Sequence, residues 1–241
     1  MTDTAATTLT ATADTPHPGL LARIVGVVFS PRDAYAAVAT RPRAAAVLTL
    51  ITVLMASAQF AFLSTTLGQD LALEQQVRSM EAFGVTVSDE MYSQMQTRMQ
   101  YAPYTSGVSL LVLIPLINVV VAGILLVVFT MLLGGAGTFK QVNAIVAHAG
   151  VIPLLQQFFG LPLTYASGEI SGANLGVFVP MLEEDSFPVL FLGSLDLFLI
   201  WWCISLAIGI GVLYRRRTGP IATGLITLYV LIALVIAVIR S

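Results

Sequence analysis

Apolar residues along this chain gather into five long, nearly uninterrupted runs, separated by polar segments of unequal length. The runs cover about 44–63, 108–133, 143–165, 189–213 and 221–239. An α-helix rises 1.5 Å per residue, so about 20 residues cross roughly 30 Å of hydrocarbon, and each run is of that order. None alternates apolar and polar side chains with period two, as a barrel strand does, so the runs predict helices. The expected fold class is all-α: a polytopic membrane protein with a bundle of five transmembrane helices over 42–241.

Ahead of the first run the pattern changes. Residues 1–18 are rich in Thr and Ala and lack the basic start and apolar core of a signal peptide, so they read as a disordered cytoplasmic tail. Over 19–41, Leu20, Leu21, Ile24, Val25, Val28 and Phe29 recur at helical spacing, with Arg23 standing off that stripe. Ser30-Pro31-Arg32-Asp33 then reads as a helix start, with serine at the N-cap, proline in the first position and an acid facing the orphan amides. This stretch has two readings that can hold together. It is an interfacial amphipathic helix on a lipid leaflet, or a helix seated on the ends of the bundle.

The 64–106 loop carries its own helical signals. Gly84 offers a C-terminal stop, and Ser88 caps a helix with Asp89 and Glu90 in its first turn. Met91, Met95 and Met99 follow at i, i+4 and i+8. Such a ladder can hold a cuprous ion but is far more often a packing face. The 166–188 loop ends in Glu183, Glu184 and Asp185, which read as a solvated turn before a cation site. No metal and no cofactor are expected.

Charge sets the expected orientation. With the N-terminus in the cytoplasm, the inner segments hold Arg23, Arg32, Arg41, Arg43, Lys140, Arg215, Arg216 and Arg217, eight of the eleven basic residues. Nine acids then fall outside, from Asp70 to Asp185. This is the asymmetry of the positive-inside rule, and an odd number of crossings leaves the C-terminus outside. The seven arginines among those eight are candidate membrane-surface residues. The location expected is the cytoplasmic (inner) membrane of the cell.

Composition narrows the functional classes. The chain is 57% hydrophobic and 10% charged, where soluble domains carry roughly 25% charged residues. A net charge of -2 supplies no nucleic-acid footprint, and one cysteine makes no internal disulfide. No zinc-protease His-Glu pattern, nucleophile elbow or phosphate-binding loop is present, and Gly134 to Lys140 reads as a connecting turn. A non-enzymatic protein is expected.

Polar residues at depth are the first functional candidates, because their burial in lipid is costly. Asp196 is read as about seven residues into the fourth run, some 10 Å below the edge. Gln156 and Gln157 in the third run reach a similar depth from the other side. A bond from the carboxyl group to one of these amides meets the cost internally; the sharper alternative is a proton or cation relay. Asn118, near the middle of the second run, is expected to bond a neighbouring helix, and His148 to be an interfacial or interhelical hydrogen-bonder, or else a pH sensor. Ser205/Gly209 and Ala207/Gly211 place small residues four apart, which permits close helix approach.

Several segments resemble one family. Ser30-Pro31-Arg32 ahead of the first run, Gly137-Thr138-Phe139-Lys140-Gln141 followed by Pro153, and Leu195-Asp196-Leu197-Phe198-Leu199-Ile200-Trp201 followed by Gly209 resemble the Yip-domain proteins, in their bacterial branch. The likeness covers roughly 19–238. It implies five spans and a cytoplasmic N-terminus, and makes Asp196, Phe198, Trp201 and Gly209 motif positions of structural type. Eukaryotic members of the family bind Rab-type GTPases through cytoplasmic N-terminal regions and help form vesicles. This chain's N-terminal tail is short, so the fold is carried over and the trafficking role is not.

The function expected is that of a non-enzymatic integral membrane protein organising membrane or partner proteins. The alternative is a small transporter or channel with Asp196 in its path. The partners expected are the lipid bilayer and an unidentified membrane or cytoplasmic protein, with a homo-oligomer left open and nucleic acid excluded.

Overall fold

The computed structural model describes residues 19–169, 172–179, 181–183 and 186–240. The tail over 1–18, and Glu184 and Asp185 of the acidic turn, lie outside the described residues. Eleven α-helices account for most of the rest. They are α1 Leu20–Phe29, α2 Pro31–Thr40, α3 Ala44–Leu63, α4 Thr66–Ala82, α5 Asp89–Met99, α6 Ala102–Leu126, α7 Phe139–Ala149, α8 Val151–Ser167, α9 Phe187–Gly193, α10 Leu197–Leu213 and α11 Thr218–Arg240. A π-helical turn, Val127–Leu132, extends α6, and a 3-10 turn, Leu175–Phe178, lies in the 166–188 loop. The fold is all-α and of polytopic membrane type.

Four helical segments have the length and hydropathy to cross a bilayer: Ala44–Leu63, Ala102–Leu132, Phe139–Ser167 and Thr218–Arg240. The fourth apolar run differs from the uninterrupted helix its hydropathy predicts. It is split into α9 and α10 by Ser194–Asp196, and α10 alone has 17 residues, about 26 Å of helix. The second span starts at Ala102 instead of near Val108, because Pro103 is tolerated in a first turn. The third divides at Gly150 into α7 and α8, with the Leu154 amide still bonded to the Gly150 carbonyl at 3.3 Å.

The core lies where α2, α6, α7 and α10 meet, around Tyr35, Val38, Ala122, Ile145, Leu206 and Ile210, all fully or nearly buried. A second cluster joins α3 to α7 and α8 through Val47, Ile51, Ala147 and Val151. Outward faces carry large apolar side chains, such as Leu116, Ile117 and Val120 on α6 and Leu231, Val235 and Ile239 on α11. Lipid is the solvent that such surfaces fit.

The N-terminal hairpin is part of this core. Tyr35 of α2 is fully buried, and its hydroxyl lies 2.6 Å from Ser205 Oγ on α10. Burial pushes the Tyr35 phenol well above its ordinary pKa near 10, so both hydroxyls stay protonated. Tyr35→Phe is expected to cost about 1–2 kcal/mol, since the buried Ser205 hydroxyl loses its partner. Denaturant unfolding in detergent measures this, and a Tyr35→Phe/Ser205→Ala pair should cost less than the sum of the single changes.

Two details of the hairpin differ from the sequence pattern. Ser30 occupies the N-cap position of α2, but its side chain makes no capping bond. Arg23, expected on the membrane surface, is buried, and its Nη1 lies 3.5 Å from the Arg41 carbonyl oxygen. It lies one turn before Val27, which is buried in the core cluster shared with α2 and α7, so the residue is covered as α1 docks.

The basic segments meet at one end of the bundle. Gln141 Nε2 donates to the Ala39 carbonyl at 3.0 Å, and Arg216 Nη2 donates to the Leu133 carbonyl at 2.7 Å. Arg32, Arg41, Arg43, Arg215, Arg216 and Arg217 are exposed there. In α5, Met91, Met95 and Met99 are half-buried while the residues between them are exposed, the pattern of a packing face.

Candidate functional site

A polar arrangement of five side-chain hydrogen bonds lies at the break between α9 and α10. Asp196 is the N-cap of α10: its Oδ1 accepts the amides of Phe198 at 2.8 Å and Leu199 at 3.0 Å. These are two of the orphan donors every helix start must satisfy. Its Oδ2 accepts Gln156 Nε2 of α8 at 2.6 Å, the bond proposed from matching depths. The placement differs in kind from the expectation, however. Asp196 does not interrupt a continuous helix at depth; it begins one.

Other elements close on the same point. The Tyr229 hydroxyl on α11 accepts the Asp196 amide and donates to the Ser194 carbonyl, both at 2.8 Å. The Leu197 amide donates to the Ala173 carbonyl at 2.8 Å and the Leu175 amide to the Leu195 carbonyl at 3.0 Å, which ties in the 166–188 loop. Each amide N–H from Ser194 to Leu199 therefore has a partner across the break, as a low-dielectric setting requires. The Tyr229 role was not read from sequence. Its one signal is that it is the only aromatic residue in the fifth apolar run.

The Gln pair separates. Gln157 Nε2 donates to the Met55 carbonyl on α3 at 3.2 Å, and its Oε1 is buried with no hydrogen-bond partner among the described residues. Asn118 on α6 donates through Nδ2 to Asn143 Oδ1 on α7 at 2.6 Å. His148 is fully buried; its Nδ1 lies 2.7 Å from the Ala144 carbonyl oxygen and therefore donates, while Nε2 has no partner among the described residues. Pro153 sits in the first turn of α8, where its missing N–H is least costly, and faces a small apolar cavity with Asn118 and Trp202.

The fourth-run motif divides by role. Phe198 lies with its ring 6.3 Å from that of Phe159 on α8 and 6.1 Å from Trp201. Gly209 lies against Ile145 of α7 and the Tyr35 ring, with no room for a Cβ. The Gly-rich turn after α6 serves the same purpose. Gly135 and Gly137 lie so close against Tyr214 that neither has room for a Cβ, and the Tyr214 hydroxyl is 2.8 Å from Thr130 Oγ1.

Among the described residues no three His, Cys, Asp or Glu side chains gather as metal ligands. The arrangement around Asp196 can do one thing: join α8, α10, α11 and a loop by hydrogen bonds in which both carboxylate oxygens are occupied.

Comparison with curated proteins and with solved structures returned no match. A match to the Yip1 domain does run over residues 25–239, nearly the whole chain, and on that extent the protein belongs to the Yip1 domain family.

Proposed function

We propose that the protein is a non-enzymatic member of the Yip type that organises lipid or partner proteins in the cytoplasmic membrane. In this reading five helices cross, the basic end and N-terminus face the cytoplasm, and the C-terminus lies outside. One observation carries it. Helix α1 is docked through Val27 and Arg23, yet it presents Leu21, Val25 and Phe29 at i, i+4 and i+8 with 72%, 54% and 80% of their surface exposed. A docked helix with an unpaired apolar ridge, beside exposed arginines, has the form of an interfacial element that displaces headgroups or receives another membrane helix.

Asp196 is a cap in this reading and not a relay, since its oxygens are already accepting three hydrogen bonds.

The test is a Leu21→Ser/Val25→Ser/Phe29→Ser variant of the full chain in native membranes, with crosslinking and mass spectrometry. These side chains are exposed, so stability should move by no more than about 0.5 kcal/mol per site. The set of recovered partners should fall sharply. An unchanged set, at unchanged melting temperature, overturns the proposal.

A further inference from the structure

At the basic end, a groove of about 550 Å³ runs between the end of α6 and the first half of α11. Ile124, Val128 and Phe129 form one wall and Ile221, Gly224 and Leu228 the other. It exists for two local reasons. The π-helical turn Val127–Leu132 widens the end of α6 and turns Phe129 inward onto Tyr214, their rings 5.5 Å apart. On α11, a Cβ added at Gly224 would meet no atom within 4 Å, so nothing fills the space from that side.

The mouth is charged. Arg216 and Arg217 line it and are exposed. Arg216 spends one donor on the Leu133 carbonyl, which holds its guanidinium over the opening. No carboxylate pairs with either arginine among the described residues. Helix α11 starts at Thr218 with no acid in its first turn, so its positive end adds to the same field.

We propose that this groove is a binding site for one anionic glycerophospholipid, an acyl chain lying along α11 and the phosphate held by Arg216 and Arg217. The apolar trough alone would take any lipid tail; two guanidiniums at its mouth select a headgroup with net negative charge. The site rests on α6 and α11 lying in the bilayer and not on the role given to α1, so either can fail without the other.

The test uses the full chain in nanodiscs of phosphatidylcholine doped with phosphatidylglycerol, followed by native mass spectrometry of the lipids retained in detergent. The wild-type chain should keep one phosphatidylglycerol in preference to phosphatidylcholine. Arg217→Gln should weaken that retention about fivefold, the equivalent of about 1 kcal/mol for one basic residue at an anionic surface, with phosphatidylcholine unaffected. Gly224→Leu should displace the bound lipid while leaving the melting temperature unchanged or higher, because it fills the groove and favours helix. If neither variant changes the ratio of the two lipids, the lipid is annular only and the site is overturned. If inorganic phosphate displaces phosphatidylglycerol and Gly224→Leu has no effect, an anion site without an acyl chain overturns it equally.

Discussion

Gly209→Leu destabilises the folded bundle by about 3 kcal/mol or more, as read by denaturant or thermal unfolding in detergent. Position 209 lies in the C-terminal half of α10, where that helix passes α7 and the docked hairpin. Its missing Cβ is the space taken by the Ile145 side chain and the edge of the Tyr35 ring. Neither neighbour can withdraw easily. Ile145 is fully buried among core residues, and Tyr35 is held by Ser205 one turn before Gly209 on the same helix. Overpacking of this kind typically costs about 1–3 kcal/mol, and more where backbones must separate. Leucine is a better helix former than glycine by close to 1 kcal/mol, which offsets only part. The same substitution at Gly224, which faces open space, supplies the control. If Gly209→Leu and Gly224→Leu melted alike, close approach at α10 would not be what holds the hairpin in place.

Asp196→Ala is expected to cost about 2–4 kcal/mol. Two losses combine: the N-cap of α10, worth about 0.5–2 kcal/mol, and the partner of a part-buried Gln156 amide, about 1–3 kcal/mol. Asp196→Asn separates structure from transport. Its side-chain oxygen can still accept from the Phe198 and Leu199 amides, so it should retain most of the stability, while an amide carries no titratable proton. Purified variants in proteoliposomes give both readings. Loss of proton- or cation-coupled flux in Asp196→Asn at near-native stability would reverse the assignment of Asp196 as a cap.

Much of the fold is legible along the chain because lipid imposes a one-dimensional rule. A segment must be apolar for about 20 residues or it cannot cross. That rule places α3 and α11 to within about three residues, misses the start of α6 by about two turns of helix, and accounts for the long segment Phe139–Ser167. It fails at the fourth run for a physical reason. Hydropathy registers side chains and cannot register whether the backbone is continuous, so a Ser194–Asp196 break whose amides, and those of the next turn, are satisfied by α9 carbonyls, Tyr229, Ala173 and the Asp196 side chain looks like helix.

Arg23 shows the same limit in another form. Helical periodicity puts it off the apolar stripe, and by charge it belongs in water or among headgroups. Its burial is decided by where α2 and α7 pack, which no local pattern encodes.

By itself, then, the order of residues established that this is a helical membrane protein, which of its segments are basic and which acidic, and that Asp196 falls within reach of an amide of the third run. These follow from solvation and from rise per residue, both local quantities. Tertiary structure decided which glutamine meets Asp196, that a tyrosine in α2 anchors the hairpin to Ser205 across 170 positions of chain, and that Gly209 is where α10 lies against Ile145 and Tyr35 with no room for a side chain. Pairing between distant segments depends on shape complementarity in three dimensions, and sequence distance carries almost none of that information.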